Sequence, residues 1–365
     1  MTRPTRRPPT RPASHPTGGR GGARKPRPRP AAVAGASPRS VRALLWLATP
    51  FALVGLGLLV LTAAPELQAR HQWLAEAASF APYGWLAWLV AVALALTGAR
   101  GRTRFLAAPL ALGLAWHTAV LVPYLPGPTH AAAAGTTSLT VVELNLRWGQ
   151  ANLDQLASAI AHQRPDVVVL AEVTRSDVAA FRRKPWSKLL PYRSGTAGDN
   201  YDPATAVGDA RGTMVLSPHP ITPLDDADGT LFSNLAVRID LPGHPITLIA
   251  AHPANPEHGL DRWVEDGESL TRLALKHTDG PLVLAGDLNA TAEHLTLREL
   301  TAKAGLTDAG SGEGWHPTFP ADTWYPPLIQ IDHVLVSRGF STTAYRTFRV
   351  DGTDHLGLQV RLAFG

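Results

Sequence analysis

The segment "LVLAGDLNAT" (residues 282–291) combines a short apolar run with two polar side chains that follow it. The apolar residues lead into Gly286, and Asp287 and Asn289 then stand two positions apart. A run of this kind is typical of a buried β-strand. Asp and Asn also satisfy their own backbone in turns, so the pair could simply end the strand. Alternatively, the strand end presents both side chains to a functional site, as strand ends do in open α/β sheets.

Several other predicted strands in the C-terminal part of the chain also end close to polar residues. The periodicity predicts helices near residues 152–163, 260–277 and 293–303, and strands in "LTVVELN" (139–145), "DVVVLAEV" (166–173), "GTMVLSPHPI" (212–221), "FSNLAVRIDLPGHPITLIAAHP" (232–253, two strands), "IDHVLVS" (331–337) and "LGLQVRLAF" (356–364). The polar residues at or beside strand ends are Asn145, Glu172, His252, Asp287, Asn289, Asp332, Asp354 and His355. If the strands share sheets, these eight side chains can converge on one edge.

A convergence of carboxylates predicts a metal site and a type of chemistry. Carboxylates crowded together repel each other unless a cation neutralises them, and oxygen ligands suit Mg²⁺ or Mn²⁺. The chain has no cysteine and few clustered histidines, so a zinc site is less favoured. A hard cation polarises a phosphoryl oxygen and lowers the pKa of an attacking water. The pattern therefore favours hydrolysis of phosphate esters.

The charge of the chain is unevenly distributed along its 365 residues. Residues 1–40 contain 10 of the 34 Lys and Arg and no acidic residue, among repeated Pro and Gly. We expect this tail to be disordered and cytoplasmic, because it has too little apolar surface to offset its chain entropy. From Ala131 onward the balance reverses to 19 basic against 27 acidic residues. Nucleic acid is therefore not the expected partner, since a phosphate backbone calls for a basic face.

Three uncharged apolar stretches predict a membrane region over residues 41–126. They cover 43–64, 80–99 and 105 to about 125, and each approaches or exceeds the roughly 20 residues that a helix needs to cross about 30 Å of hydrocarbon. A cleavable signal peptide is disfavoured, because the basic region before the first stretch is too long and two more stretches follow. Arg100, Arg102 and Arg104 place the second loop in the cytoplasm by the positive-inside rule. Three crossings would leave the C-terminal domain outside the cell.

The predicted domain organisation has four parts. A basic cytoplasmic tail (1–40) precedes three transmembrane helices (41–126), a small-residue linker (127–138) and a domain over 139–365 that is large enough for its own core. The expected location is the cell membrane, with several crossings and an extracellular catalytic domain.

Six motifs in the C-terminal domain together resemble one known superfamily. "VELN", "LAEV", "AAHPANP", "GDLNAT", "IDHVLV" and "TDH" occur in the order found in the endonuclease/exonuclease/phosphatase superfamily. The resemblance covers essentially all of residues 139–365, and it implies an α/β four-layer sandwich of two packed mixed sheets, DNase I-like, with the site at one end. The membrane-anchored layout is similar to actinobacterial members of the VanJ type, which are associated with teicoplanin resistance.

The resemblance implies a metal-binding group and the cation that it would hold. Glu172 would be the principal metal ligand, with Asn145 and Asp354 nearby, and the cofactor would be Mg²⁺ or Mn²⁺. The last motif departs from the family pattern, because "TDHLG" stands where Ser-Asp-His followed by Pro is more usual. The departure concerns the geometry of the loop and leaves the Asp354 and His355 pair in place.

The resemblance also implies a catalytic group. Asp287 would orient or deprotonate the attacking water, and Asn289 would hold that water or a phosphoryl oxygen. His355, oriented by Asp332, would stabilise charge that develops on the phosphoryl group. His252 would contact the phosphate or assist the leaving group. These roles suit the residue types, because a carboxylate fixes an imidazole and an imidazolium meets negative charge.

The sequence predicts a membrane-bound, outward-facing, divalent-metal-dependent phosphoesterase. Its expected partner is a membrane lipid or a lipid-linked phosphate or pyrophosphate of cell-envelope synthesis, and no protein partner is implied. The alternatives are an extracellular nuclease and a catalytically inactive binding module on a membrane anchor. Arg147 and Arg211 could reach a substrate phosphate or be solvated. Trp315 and Trp324 lie in a Pro-rich loop, where they could line a substrate rim or only pack.

Overall fold

The computed structural model describes residues 38–98, 105, 107–127, 135–198 and 208–365. Three predicted features fall partly or wholly outside the described residues: the basic tail up to residue 37, the basic loop over 99–104 and linker residues 128–134.

The described residues of the N-terminal region form four α-helices: α1 (Pro38–Ala63), α2 (Gln72–Ala78), α3 (Gly84–Gly98) and α4 (Ala107–Val120). Within α1, Ala43–Ala63 is long and apolar enough to cross a membrane, with a mean hydropathy of 2.3 over 21 residues. A second crossing is present only if the bent pair Gln72–Ala78 and Ala81–Thr97 is one span. At 15 and 14 residues, α3 and α4 are shorter than the roughly 20 residues a crossing takes. Three transmembrane helices are therefore not confirmed.

Two six-stranded mixed sheets form the framework of the C-terminal domain. The first has the order β11-β12-β1-β2-β4-β3 and the second the order β5-β6-β7-β8-β10-β9, with parallel pairs only at β1–β2 and β7–β8 among the described residues. The strands are β1 (Thr137–Asn145), β2 (Val167–Val173), β3 (Tyr192–Thr196), β4 (Gly212–Ser217), β5 (Ile221–Asp226), β6 (Leu235–Ile239), β7 (Ile246–Ala251), β8 (Leu282–Asp287), β9 (Thr307–Asp308), β10 (Asp332–Val336), β11 (Ser341–Phe348) and β12 (Gly357–Phe364). The helices are α5 (Leu153–Gln163), α6 (Arg175–Phe181), α7 (Trp186–Leu189), α8 (Leu260–Leu275) and α9 (Leu295–Ala304).

Three buried clusters divide this domain into four layers. Val141, Val237 and Val283 belong to the cluster between the two sheets. A second cluster packs α5, α6 and α7 on the outer face of the first sheet, and a third packs α8 and α9 on the outer face of the second. Successive residues of a strand point to opposite faces of its sheet. The central strands therefore contribute side chains both to the cluster between the sheets and to the cluster on the outer face of their own sheet. The predicted sandwich of two packed mixed sheets is confirmed.

Gly286 in the opening segment lies where two strands come very close. A Cβ atom at this position would be 1.8 Å from the carbonyl oxygen of Ala251 on the neighbouring strand β7. Only glycine allows this approach. His252, which follows β7, and Asp287, the last residue of β8, are thereby brought side by side.

The N-terminal helical region is docked on the C-terminal domain through buried polar contacts. Gln68 is fully buried, donates to the carbonyl oxygens of Leu61 and Glu293 at 3.1 and 3.0 Å, and accepts from the backbone N–H of Leu295 at 2.9 Å. The hydroxyl of Tyr124 donates to Glu293 at 2.7 Å, and Nε2 of His294 lies 2.8 Å from the carbonyl oxygen of Ala75. The two regions therefore share a buried interface next to the start of α9.

Candidate active site

Four strands at the centre of the two sheets end at one place. The register of β1 with β2 pairs Asn145 with Ala171, so Asn145 and Glu172 lie side by side. In the second sheet, β8 and β10 pair Asp287 with Asp332 directly. Asn145, Asp287 and Asp332 are each at most 2% exposed. The strand ends thus bring the predicted polar residues of both sheets into one buried cluster.

Asn145 links the carboxylates that the two sheets contribute. Its Nδ2 donates to Oε1 of Glu172 at 3.0 Å and to Oδ2 of Asp287 at 2.9 Å, while its Oδ1 accepts from the backbone N–H of Arg147 at 2.8 Å. Thr353 holds the strand end by donating to the carbonyl oxygen of Asn145 at 2.8 Å. The amide therefore fixes the separation of the two carboxylates, and its predicted role as a metal ligand stays a prediction.

Glu172 has an uncommon backbone conformation for a residue with a side chain. Its φ is 54°, and the pairing of β2 with β4 is irregular between Ala171 and Val173. Non-glycine residues in this region are strained, and they cluster at functional sites. The backbone N–H of Trp148 donates to Oε2 of Glu172 at 2.8 Å. Burial raises the pKa of the Glu172 carboxyl, although the hydrogen bonds from Asn145 and Trp148 oppose the shift.

Asp332 and His355 form the predicted pair across the site. Nδ1 of His355 lies 2.9 and 3.0 Å from the two carboxylate oxygens of Asp332, and its Nε2 lies 3.7 Å from Oδ2 of Asp287. Burial disfavours the imidazolium, but the Asp332 and Asp287 carboxylates outweigh it and raise the pKa of His355 to about 10. Nδ1 is committed to Asp332, so Nε2 is the atom that faces the cluster. The site therefore holds a buried imidazolium at neutral pH.

His333 points away from this cluster, as the alternation along β10 predicts. Its Nδ1 lies 2.6 Å from Oδ2 of Asp308, and its Nε2 lies 2.9 Å from the carbonyl oxygen of Ala290. Burial disfavours the charged form of the imidazole, but the attraction of the Asp308 carboxylate is stronger and raises the pKa of His333. The neighbouring histidine thus belongs to a separate buried ion pair.

His252 stands at the other side of Asp287. Its Nε2 lies 3.7 Å from Oδ2 of Asp287 and 3.8 Å from Oε1 of Glu172, and burial lowers its pKa to about 4. Asn234 accepts from the backbone N–H of His252 at 2.6 Å, and the Phe232 ring packs against the imidazole with centroids 4.2 Å apart. A neutral imidazole is therefore held beside the two carboxylates.

Asn289 and Asp354 lie at the edge of the cluster. The backbone N–H of Asn289 donates to Oδ1 of Asp287 at 2.9 Å, and its Nδ2 donates to the carbonyl oxygen of Pro253 at 2.9 Å. The side chain of Asn289 is therefore bound to backbone, and its predicted contact with water or a phosphoryl oxygen stays a prediction. Asp354 Oδ1 lies 4.0 Å from Nε2 of His355, and Oδ2 lies 3.6 Å from Nε of Arg147.

Several residues in and around the site were missed or left open by sequence reasoning. Glu143 is fully buried two positions before Asn145 on the same strand face, and neither carboxylate oxygen has a hydrogen-bond partner among the described residues. Burial, with Asp332 and Asp287 nearby, raises its pKa well above the usual value. The sequence did contain a signal for this residue. Glu143 stands two positions before Asn145 in "LTVVELN", so the alternation along a strand points both side chains to the same face.

Arg147 is not simply solvated, because it bonds Asp322 at 2.7 Å.

The two tryptophans of the Pro-rich loop have different surroundings. Trp315 packs edge-on against Tyr83 and Tyr124, with centroids 5.8 and 4.8 Å apart. Trp324 is 95% exposed. Trp315 therefore serves packing between the helical region and the domain.

The donor set of the cluster fits a divalent cation. Asp287, Asp332 and His355 each offer a ligand atom within 4.8 Å of the others, although the close pairing of Asp332 with His355 accounts for part of this proximity. Nδ2 of Asn145 donates to one oxygen of Glu172 and one oxygen of Asp287. Each carboxylate keeps further lone pairs with which it could bind a ligand. Buried carboxylates without enough compensating charge suit a hard cation with oxygen ligands. Glu172 is the carboxylate best placed to hold it.

Residues 142–355 match the model of the Endonuclease/Exonuclease/phosphatase family, and the chain belongs to this family. The match spans more than half of the chain and includes all eight predicted site residues. Enzymes of this family are typically dependent on divalent metals.

Solved structures of family proteins are similar to this chain. One from Beutenbergia cavernae is 24% identical, with a TM-score of 0.46, and the match covers 62% of this chain and 72% of that one. A family protein from Bacteroides thetaiotaomicron is 17% identical, with a TM-score of 0.48 and coverage of 63% and 99%. A mannosyl-6-phosphatase from the same species is 17% identical, with a TM-score of 0.44 and coverage of 62% and 100%. No curated protein matches the sequence.

Replacing Glu172 by Ala is expected to lower phosphate release and to raise the Mg²⁺ concentration needed for half-maximal activity. The reason is the loss of a carboxylate that would hold the cation. Glu268→Ala is the matched control, because Glu268 is exposed on α8 and pairs with Arg272 at the surface. An unchanged metal requirement in a folded Glu172→Ala protein would rule out the metal-binding role.

Proposed function

We propose that this protein is a membrane-bound, outward-facing phosphoesterase that depends on a divalent metal and acts on a lipid-linked phosphate or pyrophosphate of cell-envelope synthesis. The observation that supports it most is the buried cluster in which carboxylates from two sheets face an imidazolium. Asp287 is 2% exposed and has Nε2 of His355 and of His252 at 3.7 Å on either side. Such a cluster combines a base with a fixed positive charge, as phosphoryl transfer to water requires.

In the proposed reaction, Asp287 accepts a proton from the attacking water, and the other residues orient the groups. Asn145 and the backbone N–H of Asn289 each bind one Asp287 oxygen and fix the carboxylate. Asp332 holds His355 by Nδ1, so that Nε2–H points at the negative charge that develops on phosphoryl oxygens. A bound divalent cation would polarise the phosphoryl group and favour the ionised form of Asp287. His252 is neutral, and its Nε2 lies 3.7 Å from Oδ2 of the same carboxylate.

An inactive binding module on a membrane anchor is the less favoured alternative. A binding protein has no need for the complete set of carboxylates and the imidazolium. In this chain Asn145, Glu172, Asp287, Asp332 and His355 are all present and mutually connected by contacts of 3.7 Å or less. The intact network supports catalysis.

A nuclease is a second alternative within the same family. A nucleic-acid substrate calls for a basic surface that follows its phosphates. Residues 131–365 carry 19 basic against 27 acidic residues, and Arg147 beside the site is already paired with Asp322. The charge balance favours a substrate with one or two phosphate groups.

The packing of the helical region supports an outward-facing domain. Gln68, Ala75 and Tyr83 lie in the connection between α1 and α3, and all three contact the C-terminal domain. Tyr124 follows α4 and contacts the same domain. Both segments must therefore lie on the same side of a membrane as the catalytic domain. Three crossings from a cytoplasmic N-terminus would place both of them outside.

We predict that a reporter active only outside the cytoplasm is active when it is fused after Gly365. The same reporter fused near Thr103 should be silent, because the arginines there are expected to stay inside. Reporter activity in cells measures both. A cytoplasm-specific reporter that is active at Gly365 would contradict the three-span arrangement.

Hydrolysis by the purified full-length protein tests the proposed activity, measured as phosphate release from the pyrophosphate and the phosphomonoester and as appearance of the cleavage products of sphingomyelin and DNA. The substrates are a lipid pyrophosphate, a phosphomonoester, sphingomyelin and DNA, each with and without Mg²⁺. We expect Mg²⁺-dependent release from the lipid pyrophosphate or the phosphomonoester. Cleavage of DNA alone would favour the nuclease, and metal-independent release would contradict the mechanism.

A further inference from the structure

Two exposed tryptophans stand on loops that border the catalytic cluster. Trp148 is 54% exposed and Trp324 is 95% exposed. Single exposed apolar side chains are common on protein surfaces, but an indole held beside a polar site offers a large apolar face to a ligand. The positions of the two side chains relative to the cluster therefore decide what they do.

Trp148 is joined to the cluster by its own backbone. Arg147, Trp148 and Gly149 follow one another with φ values of 46°, 52° and 70°. The backbone N–H of Trp148 donates to Oε2 of Glu172 at 2.8 Å, and that of Arg147 donates to Oδ1 of Asn145 at 2.8 Å. Two successive non-glycine residues in the left-handed region are strained, and such strain clusters at functional sites. The turn commits its amides to the site and leaves the indole of Trp148 exposed beside Glu172.

The loop that carries Trp324 is fixed on the side of the cluster formed by the last motif. The Phe319 ring packs on the His355 imidazole with centroids 5.0 Å apart, and the backbone N–H of Ala321 donates to the carbonyl oxygen of Asp354 at 2.6 Å. Trp324 follows Ala321 by three residues, so their Cα atoms are within roughly 11 Å of each other. The exposed indole of Trp324 therefore stands close to the catalytic pair.

An ion pair joins the two loops. The guanidinium of Arg147, the residue before Trp148, lies 2.7 Å from Oδ2 of Asp322. Asp322 stands two positions before Trp324. Both tryptophans thus belong to neighbouring loops on the exposed side of the same cluster.

The Pro-rich loop also reaches the helical region. The hydroxyl of Tyr83, the residue before α3, donates to the carbonyl oxygen of Leu328 at 2.7 Å. Trp315 packs edge-on against Tyr83 and Tyr124. Trp324 lies between Trp315 and Leu328 in the chain, so the loop leaves the helical region, passes the site and returns. An apolar chain that emerges beside the helices can follow this loop to the cluster.

We propose that Trp148 and Trp324 form an aromatic rim that binds the apolar chain of the lipid substrate next to its phosphate. This inference rests on the proposed function and names the part of the substrate that distinguishes it from a small phosphate ester. The indole faces offer apolar area to the chain, while the polar cluster holds the phosphate.

A nucleic-acid base is the other ligand that stacks on an indole. Such a substrate also needs basic contacts for its phosphates, and Arg147 beside the rim is paired with Asp322. Continuity of the Pro-rich loop with the helical region favours the lipid chain.

The test compares an isoprenyl ester with the methyl ester of the same phosphate or diphosphate, as substrates of the full-length protein. The isoprenyl ester is used below the concentration at which it forms micelles. In Trp148→Ala and in Trp324→Ala, the ratio of kcat/KM for the isoprenyl ester to that for the methyl ester should fall by about tenfold, on the scale of burying roughly two methylene groups. Replacing either tryptophan by Phe should retain most of the ratio, because a phenyl ring keeps an apolar face.

Tyr192→Ala is the matched control for these variants. Tyr192 is an aromatic residue that is 42% exposed, and it pairs with Ser217 at the end of β4 that is remote from Glu172. Its loss should leave the ratio unchanged. An unchanged ratio in either tryptophan-to-alanine variant, or equal losses for both esters, would overturn the inference. A larger loss for a nucleotide ester than for the isoprenyl ester would assign the rim to bases and overturn it as well.

Calorimetry with an isoprenyl phosphonate and with methylphosphonate separates this inference from the proposed function, because neither ligand has an ester bond to hydrolyse. We expect the wild type and Tyr192→Ala to bind the isoprenyl phosphonate more tightly, and both tryptophan-to-alanine variants to lose that preference. If the wild type hydrolyses no ester but shows the Trp-dependent preference, the proposed function fails and the aromatic rim stands. If it hydrolyses the esters without this preference, the rim fails and the function stands. Circular dichroism of each variant confirms that it is folded.

Discussion

Asp287→Asn is expected to reduce phosphate release by at least about a hundredfold, on the scale of losing a positioned general base. Asparagine has nearly the same shape but cannot accept the proton of the attacking water. It also removes the negative charge that lies between His252 and His355. Turnover at saturating Mg²⁺ measures the loss.

The same substitution should leave the fold intact. The carbonyl oxygen of an asparagine can still accept from the backbone N–H of Asn289, which now bonds Oδ1 of Asp287 at 2.9 Å. The amide nitrogen of that asparagine would replace the oxygen that now accepts from Nδ2 of Asn145 at 2.9 Å, so the melting temperature should fall modestly while the circular dichroism spectrum stays close to that of the wild type. Full activity in a folded Asp287→Asn protein would remove Asp287 from the mechanism.

His355→Ala is expected to reduce turnover by at least about a hundredfold, because it removes the imidazolium that faces the cluster. Its Nε2 lies 3.7 Å from Asp287, and its Nδ1 is fixed by Asp332. A protein that lacks both Asp332 and His355 should lose much less than the product of the two single losses, since the two residues act as a unit. Turnover of the wild type, both single variants and the double variant measures this.

His333→Ala is the matched control for that experiment. His333 is a buried histidine on the same strand as Asp332, but it pairs with Asp308 on the opposite face. Its loss leaves the Asp308 carboxylate without its partner, so the melting temperature should fall while turnover is largely retained. If His333→Ala abolished turnover and His355→Ala had little effect, the assignment of the catalytic histidine would be wrong.

The apolar pattern of the sequence predicted the central strands close to their observed positions, because both faces of these strands are buried. The predicted strands in "DVVVLAEV" (166–173) and at the start of "LVLAGDLNAT" (282–291) form β2 and β8. Strands β3 and β11 were not predicted from their sequences. Both lie at sheet edges, and "YRSGT" in β3 is mostly exposed, so neither has the run of apolar residues that marks a central strand.

The helical region shows a different limit of sequence reasoning. Hydropathy identified three apolar stretches, but it could not show that a separate short helix, α2, precedes the second stretch and is bent away from it. In the structure α2 and α3 are bent by 55° relative to each other, and the connection carries Tyr83, which bonds the carbonyl oxygen of Leu328. Contacts with the C-terminal domain decide the path of the chain there.

The sequence by itself determined the family, the order of the motifs and the residues at the strand ends, because apolar periodicity and polar strand ends are local properties. Only the tertiary structure decided how those ends meet. The pairing of Asp287 with Asp332 and the link from Asn145 to both carboxylates depend on two sheets packed face to face. The burial of Glu143 depends on the same packing. Distances between residues far apart in the chain are set by the register and packing of the sheets, which no short segment encodes.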